Sequence, residues 1–352
     1  MGLGAGRDPE GVARGLTAWW HAHHPLHSDI EVATPTRPSA GLSSETFLVE
    51  VAWRDAGQIR SQALVLRLPP PGDGLFPSYD LAAQSMVQQQ LAAGSPVPVA
   101  DPVALEADEQ WLGAPFLLMT RVAGRVLLDH PPFLTHGWLH DASPASQQQL
   151  QQSFVDVLST IHRQDWRNLG LASLARGCSG ETHFLLGELD WWASYLDWAG
   201  DGPPVVAEAM AWCAAHRPDP EPPASLLWGD VRFGNVVFDN SFNPVGVLDW
   251  EMASIGPAEL DVGWFVVMQE LSVKTSGADL PGFAATSVVI SDYQRRLGRE
   301  LHDLRWYEAF ALVRGAAIMV RVAHLLARDG VDDSWLRGNP MLGQLERVVG
   351  RA

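Results

Sequence analysis

The chain has 352 residues, 47% of them hydrophobic and 18% charged, which excludes a disordered polymer and allows a substantial core. A formal net charge of −17 argues against nucleic acid as a partner, because that binding needs clustered Lys and Arg. Two cysteines, Cys178 and Cys213, exclude a disulfide framework and a four-ligand zinc site, and read as buried thiols in a reducing cytoplasm.

The first ten residues carry no apolar core of a signal peptide, and Gly6 stands where a myristoylation motif needs Ser or Thr. Gly11 to His24 places Val12, Leu16, Trp19 and Trp20 at helical spacing and predicts a capping helix. His21, His23, His24 and His27 crowd its end, either as a metal site or, more plainly, as surface histidines at a helix C-terminus. From Glu45 the period becomes two. Phe47, Val49 and Val51 predict one strand, residues 54 to 57 a turn, and Gln62 to Leu68 the return strand, closed by three prolines. A helix over residues 79 to 93 follows, then strands at Val97 to Val103 and Pro115 to Met119.

The remainder reads as mostly helical. Ser146 to His162, Phe184 to Trp198 and Trp306 to Arg328 are the clearest helices, and one strand pair interrupts them at residues 235 to 249. The apolar stretch Phe310 to Leu326 is broken by Arg314 and Arg321, so it predicts a buried helix and no membrane span. With a hinge at Met119 to Gly124, the expected architecture is an α+β fold of two lobes. Residues 1 to 121 form a small β-rich lobe with its capping helix, and residues 122 to 352 form a large helical lobe.

Chemistry concentrates in Leu226 to Trp264, LLWGDVRFGNVVFDNSFNPVGVLDWEMASIGPAELDVGW. A hairpin centred near Phe242 sets Asn235 opposite Asp249, and paired residues hold their Cβ atoms about 4.5–5.5 Å apart. An amide oxygen and a carboxylate at that separation suit a shared Mg²⁺. Asp230 lies five residues before Asn235. Asp-x-x-x-x-Asn is the spacing of a kinase catalytic loop, in which the Asp receives the hydroxyl proton and the Asn binds metal. Arg232 follows, a planar cation suited to transferring phosphoryl charge. The alternative is that Asp230 and Asp249 merely cap turns.

The pattern Gly-Asp-x-Arg-x-Gly-Asn with Leu-Asp-Trp-Glu resembles the catalytic core of the aminoglycoside-phosphotransferase (choline kinase-like) superfamily. It is most similar to the branch of kinase-like domains fused to some acyl-CoA dehydrogenases. The resemblance spans residues 35 to 265. It implies a bilobal protein-kinase-like fold, ATP and Mg²⁺ as cofactors, and γ-phosphoryl transfer to a small-molecule hydroxyl. Under it Asp230 is the catalytic base, Asn235 and Asp249 are metal ligands, and Asp261 anchors the catalytic loop.

Three departures stand out. Trp228 replaces the family's His before Gly229-Asp230. Arg67 replaces the strand lysine that binds phosphates, the only lysine being Lys274. Gln84 replaces the helix Glu that pairs with that lysine. The phosphate-covering loop is Ser39 to Ser44, with Ser43 and Ser44 as hydrogen-bonding groups, and adenine is expected against backbone from Leu118 to Thr120. These departures also motivate a rival, a nucleotide-binding pseudokinase that regulates a partner.

For the acceptor, Glu181, Glu188, Asp190, Asp197, Asp201 and Glu208 fall in a segment without Lys or Arg. They read either as an acidic cleft for a cationic aminosugar or as a solvated helix face. Trp191, Trp192, Tyr195 and Trp198 line either an apolar pocket or the core. The resemblance itself points to a partly apolar acyl or hydroxyacyl metabolite.

Overall fold

A computed structural model describes residues 6–38, 43–177, 183–328, 330 and 338–350. The chain divides into two compact units. One comprises Met1–Gln89 and Ala100–Val122, the other Gln90–Val99 and Ala123–Ala352.

The first unit is built on a five-stranded antiparallel sheet. Its strands are β1 (Ser28–Val32), β2 (Glu45–Asp55), β3 (Gln58–Leu68), β4 (Pro102–Glu106) and β5 (Phe116–Thr120), in the order β1-β2-β3-β5-β4. Helix α1 (Pro9–His23) begins at Asp8, whose carboxylate accepts from the N–H groups of Glu10 and Gly11, satisfying first-turn donors that have no partner within the helix. Its Val12, Leu16, Trp19 and Trp20 pack with Phe47, Val49, Leu64, Leu66 and Leu118 as one core. Helix α2 (Leu81–Gly94) follows β3 in sequence.

The β2–β3 hairpin is longer than alternation predicts. Asp55 pairs with Gln58, and the turn is the two residues Ala56 and Gly57, at φ 46° and 82°, as a twist-compatible tight hairpin requires. Gln58 to Ser61 are exposed, so no buried face marks them as strand. The expected strand at Val97 to Val103 is corrected to β4 at Pro102–Glu106. Pro98 lacks a ladder donor, and its carbonyl instead accepts from the Val247 N–H at 2.7 Å. The histidines near the end of α1 form an aromatic stack. His24 lies on His27 at 4.9 Å, and His27 on Trp53 at 5.2 Å. No group of three His, Cys, Asp or Glu suited to a metal occurs among the described residues.

The second unit holds α3 (Pro144–His162), α4 (Phe184–Ala199), α5 (Pro204–Ala215), α6 (Glu259–Ser276), α7 (Thr286–Leu297), α8 (Leu304–Arg328) and α9 (Leu342–Val348). Two short antiparallel pairs lie between α5 and α6 in sequence: β6 (Ala224–Leu227) with β9 (Ser254–Pro257), and β7 (Val236–Phe238) with β8 (Pro244–Val247). Only the β7–β8 pair was expected. β6 and β9 are four-residue strands buried almost throughout, so they show no alternation to read. Helix α8 is long and apolar enough to cross a membrane, yet 83% of its most apolar window is buried inside the protein, where it packs on α4, α5, α6 and α9. Gly263 makes the α6–α8 approach possible, since a Cβ there would lie 2.7 Å from the Tyr307 carbonyl carbon.

Candidate active site

The site begins where β6 ends. Gly229 adopts φ +93°, and a Cβ there would fall 2.3 Å from the Met252 carbonyl oxygen, so only glycine permits this turn. Asp261, in the first turn of α6 and fully buried, fixes the turn from below. Its Oδ2 accepts from Trp228 N–H at 2.7 Å and its Oδ1 from Gly229 N–H at 2.9 Å. His162 of α3 approaches the same Oδ2 with Nε2 at 3.0 Å. A carboxylate only accepts, so Nε2 carries the hydrogen. On the other side of the ring, Tyr293 Oη stands 2.5 Å from Nδ1. Burial first, then the Asp261 charge, push the Tyr293 phenol well above its ordinary pKa, which keeps its hydrogen in place.

Asp230 emerges from this turn with both oxygens engaged. Oδ2 accepts from Arg232 Nε at 2.9 Å and from Asn235 Nδ2 at 2.7 Å, and Oδ1 accepts from Trp264 Nε1 at 3.0 Å. Arg232 also donates Nη1 to Asp129 at 2.5 Å. Burial lowers the Arg232 pKa, but the Asp230 and Asp129 carboxylates, and more weakly Asp249, outweigh it and hold the guanidinium above its ordinary value. Two of its three nitrogens are thus committed to carboxylates. Arg232 orients Asp230 first, and among the described residues the second Nη1 hydrogen and the two on Nη2 remain for the phosphoryl charge expected of it from sequence.

The metal-binding expectation needs one correction. Val236 pairs with Val247, and Leu248 N–H donates to the Asn235 carbonyl at 2.9 Å. Leu248, not Asp249, therefore stands opposite Asn235. Asp249 follows at φ 60°, a left-handed turn that ends strand pairing, and its charge is felt at Arg232. Asn235 uses its amide nitrogen on Asp230, through the carboxylate and the main-chain carbonyl. That leaves the amide oxygen, the atom a hard cation takes. One amide oxygen and one carboxylate fit Mg²⁺, which completes its shell with phosphate and water.

Trp228 departs from the family's His but joins two parts of the site. Its Nε1 donates to the Leu248 carbonyl at 2.7 Å, tying the turn before Asp230 to the residue before Asp249. The ring is fully buried, near Phe154 and Trp250. Phe233, between Asp230 and Asn235, packs among Phe154, Phe265 and Phe283. Gly229→Ala is expected to disrupt this turn, with strain of about 1–3 kcal/mol. A lower thermal midpoint together with lost activity checks it.

The nucleotide-side expectations fall in the first unit. Arg67 on β3 donates Nη2 to Ser44 Oγ at 3.0 Å, so these two come together. Gln84 is buried on α2. Thr120 Oγ1 accepts from the Asp101 N–H at 3.0 Å. Leu118 is a correction. It pairs with Leu66 on one side and Ala104 on the other, and its side chain is fully buried in the α1 core, so it has no group to offer adenine. Ser43 lies at the edge of the described residues, and Ser39 to Leu42 lie outside them.

The acidic-cleft expectation also changes. Glu188 is buried and paired with Arg176 at 2.9 Å. Asp190, Asp197 and Asp201 are exposed, and Glu181 and Cys178 lie outside the described residues. Trp192 and Tyr195 are core residues. Burial pushes the Cys213 thiol up to about 12, making it an inert thiol.

This α+β architecture is that of the protein-kinase-like aminoglycoside phosphotransferases. A Ralstonia eutropha JMP134 structure named "putative aminoglycoside phosphotransferase" aligns over 96% of this chain and 98% of its own, with TM-score 0.71 and 24% identity. A thermostable mutant of aminoglycoside phosphotransferase APH(4)-Ia, in ternary complex with ADP and hygromycin B, aligns over 96% and 99% with TM-score 0.57 and 15% identity. A model of the "Phosphotransferase enzyme family" matches residues 34–307, and the chain belongs to that family. Among curated relatives, the rat (Rattus norvegicus) "Acyl-CoA dehydrogenase family member 11" is 27% identical over 93% of this chain and 41% of its own length. The Arabidopsis thaliana "Probable acyl-CoA dehydrogenase IBR3" is 25% identical over 90% and 39%. The chain therefore spans about two fifths of the relatives it matches.

Proposed function

We propose that this chain is an ATP- and Mg²⁺-dependent phosphotransferase acting on a hydroxyl of a small, partly apolar metabolite, with a hydroxyacyl compound as the acceptor class. The observation that carries this reading is the set of three donors around Asp230, from Arg232, Asn235 and Trp264. They hold one carboxylate in place to receive a proton. In the transfer, the acceptor hydroxyl gives its proton to Asp230 and its oxygen bonds the γ-phosphorus. The bond to the β–γ bridging oxygen breaks, and ADP leaves. Asn235 and Asp249 would hold the magnesium ion, whose charge offsets that of the phosphates. In the first unit, Arg67 and Ser44 are the groups suited to phosphate oxygens, by bidentate and hydroxyl hydrogen bonds.

The hydroxyacyl class is preferred over an aminosugar because the buried acid of α4, Glu188, already has a cation in Arg176, which pairs with its Oε2 at 2.9 Å. The relatives' names point the same way.

Thermal unfolding with Mg²⁺-ATP is the first test. Ligand at 100 times Kd stabilises by about 2.7 kcal/mol, so a raised midpoint is expected. ADP release and ³¹P spectra with hydroxyacyl and aminosugar panels then identify the acceptor. Transfer to aminosugars alone would overturn the acceptor class. Firm Mg²⁺-ATP binding without transfer to any acceptor would replace the whole reading with a nucleotide-binding pseudokinase.

A further inference from the structure

We infer that Trp264 is a positioning residue that dedicates Asp230 Oδ1 to the acceptor hydroxyl. This rests on the phosphotransferase reading above and goes beyond it by assigning the proton-accepting atom. Each carboxylate oxygen offers two lone-pair directions. Oδ2 accepts from both Arg232 and Asn235, so its directions are filled. Oδ1 accepts from Trp264 alone among the described residues, which leaves one direction open. The acceptor proton therefore goes to Oδ1, and the indole N–H sets where that open lone pair points.

Trp264 is itself held. The Arg314 guanidinium of α8 lies 4.7 Å from the Trp264 ring centre and 5.0 Å from that of Trp192. Its Nη2 donates to the Gly229 carbonyl at 3.1 Å. Only 3% of Arg314 is exposed. Burial lowers its pKa to about 10, so it stays a cation at neutral pH. One buried cation thus grips the residue before Asp230 and the ring that hydrogen-bonds it. Trp264 is 4% exposed, so its indole is enclosed on nearly every side.

Trp264→Phe keeps a ring beneath Arg314 and removes the donor. The expected result is a fall in kcat of about 10- to 100-fold, the rate equivalent of one hydrogen bond to a charged group. KM for Mg²⁺-ATP should be nearly unchanged, while the thermal midpoint should fall modestly because a phenyl ring leaves part of the buried indole volume empty. In an Asp230→Ala background the same change should have no further effect on kcat, because its target is gone, whereas a merely structural role would add to the loss. Unchanged kcat in Trp264→Phe, or additive losses in the double variant, would overturn the inference.

A second readout needs no turnover. The ¹⁵N-indole resonance of Trp264, assigned by its absence in Trp264→Phe, should move in Asp230→Ala. An unmoved resonance sinks the inference however active the enzyme is. A moved resonance in a protein that transfers no phosphate supports the contact and sinks the phosphotransferase reading instead.

Discussion

Asp230→Ala should lower kcat by about 10²–10⁴-fold, the range for loss of a general base, while Mg²⁺-ATP still raises the thermal midpoint. The split follows from what the side chain touches. Asp230 contacts Arg232, Asn235 and Trp264, while Asn235's amide oxygen, the atom free for a cation, takes no part in those bonds. Truncation also leaves Arg232 paired with Asp129 alone, so the guanidinium keeps a carboxylate and the loop need not collapse. Asp230→Asn is a poorer test. One of its two carboxylate oxygens becomes an NH₂, which must face Trp264 N–H or the donors of Arg232 and Asn235, adding a local clash of donors to the loss of the base. Steady-state kinetics with the acceptor found in the panel, beside nucleotide titration of the same variant, separate the two steps. Full turnover in Asp230→Ala would remove the proton-accepting role, and loss of nucleotide binding along with turnover would move Asp230 from chemistry to metal binding.

The parts of this site legible in sequence are those that depend on local spacing. Asp230 and Asn235 sit five residues apart on one loop, and that spacing is enough to bring a carboxylate to an amide. Apart from the Asp261 anchor, which the family resemblance implied, what is set by packing between distant segments was out of reach. Arg314 reaches Gly229 across 85 residues, His162 reaches Asp261 across 99, and Asp129 reaches Arg232 across 103. Within an apolar helix Arg314 signalled only that the segment was not a membrane span. Trp264 was visible as one of 15 tryptophans, and nothing local distinguished its N–H from a core indole. The Asn235–Asp249 register failed by one residue because a symmetric hairpin was assumed. In the structure, the β7–β8 ladder shifts register between Val237 and Phe238, and Asp249 turns out of the strand at positive φ. Leu118 failed for a related reason, since sequence order hides that β5 is an inner strand with both edges paired.

Trp228 shows how a departure from a family pattern can keep its architecture. The turn that carries Asp230 is tied both to α6 and to the segment leading to Asp249. Here the main chain of Trp228 is gripped by Asp261, while its indole grips Leu248. One residue thereby couples the positions of Asp230 and Asp249. An imidazole could not fill the same volume, and the ring contacts with Phe154 and Trp250 show the surrounding core built to the larger side chain.

Asp261→Ala should be the most destabilising single change in the second unit. Asp261 is fully buried and accepts hydrogens from Trp228 N–H, Gly229 N–H and His162. Its removal leaves three buried donors without an acceptor, at about 1–3 kcal/mol each before relaxation. Water entering the gap satisfies part of that demand, so a net loss of about 3–5 kcal/mol is expected. At roughly 2–4 °C per kcal/mol for domains of 150–250 residues, the midpoint should fall by about 10 °C. Asp261→Asn keeps the shape but one acceptor atom of two, and turns an NH₂ toward a donor, so it should fall nearly as far. The effect on turnover separates anchor from catalyst. Asp261 reaches the site only through the backbone of Trp228 and Gly229, so residual activity at low temperature, measured where the variant is still folded, should show a reduced kcat with unaltered dependence on Mg²⁺ concentration. A variant with wild-type stability but a higher Mg²⁺ requirement would instead mark Asp261 as a metal ligand and overturn its place as the anchor of the catalytic turn.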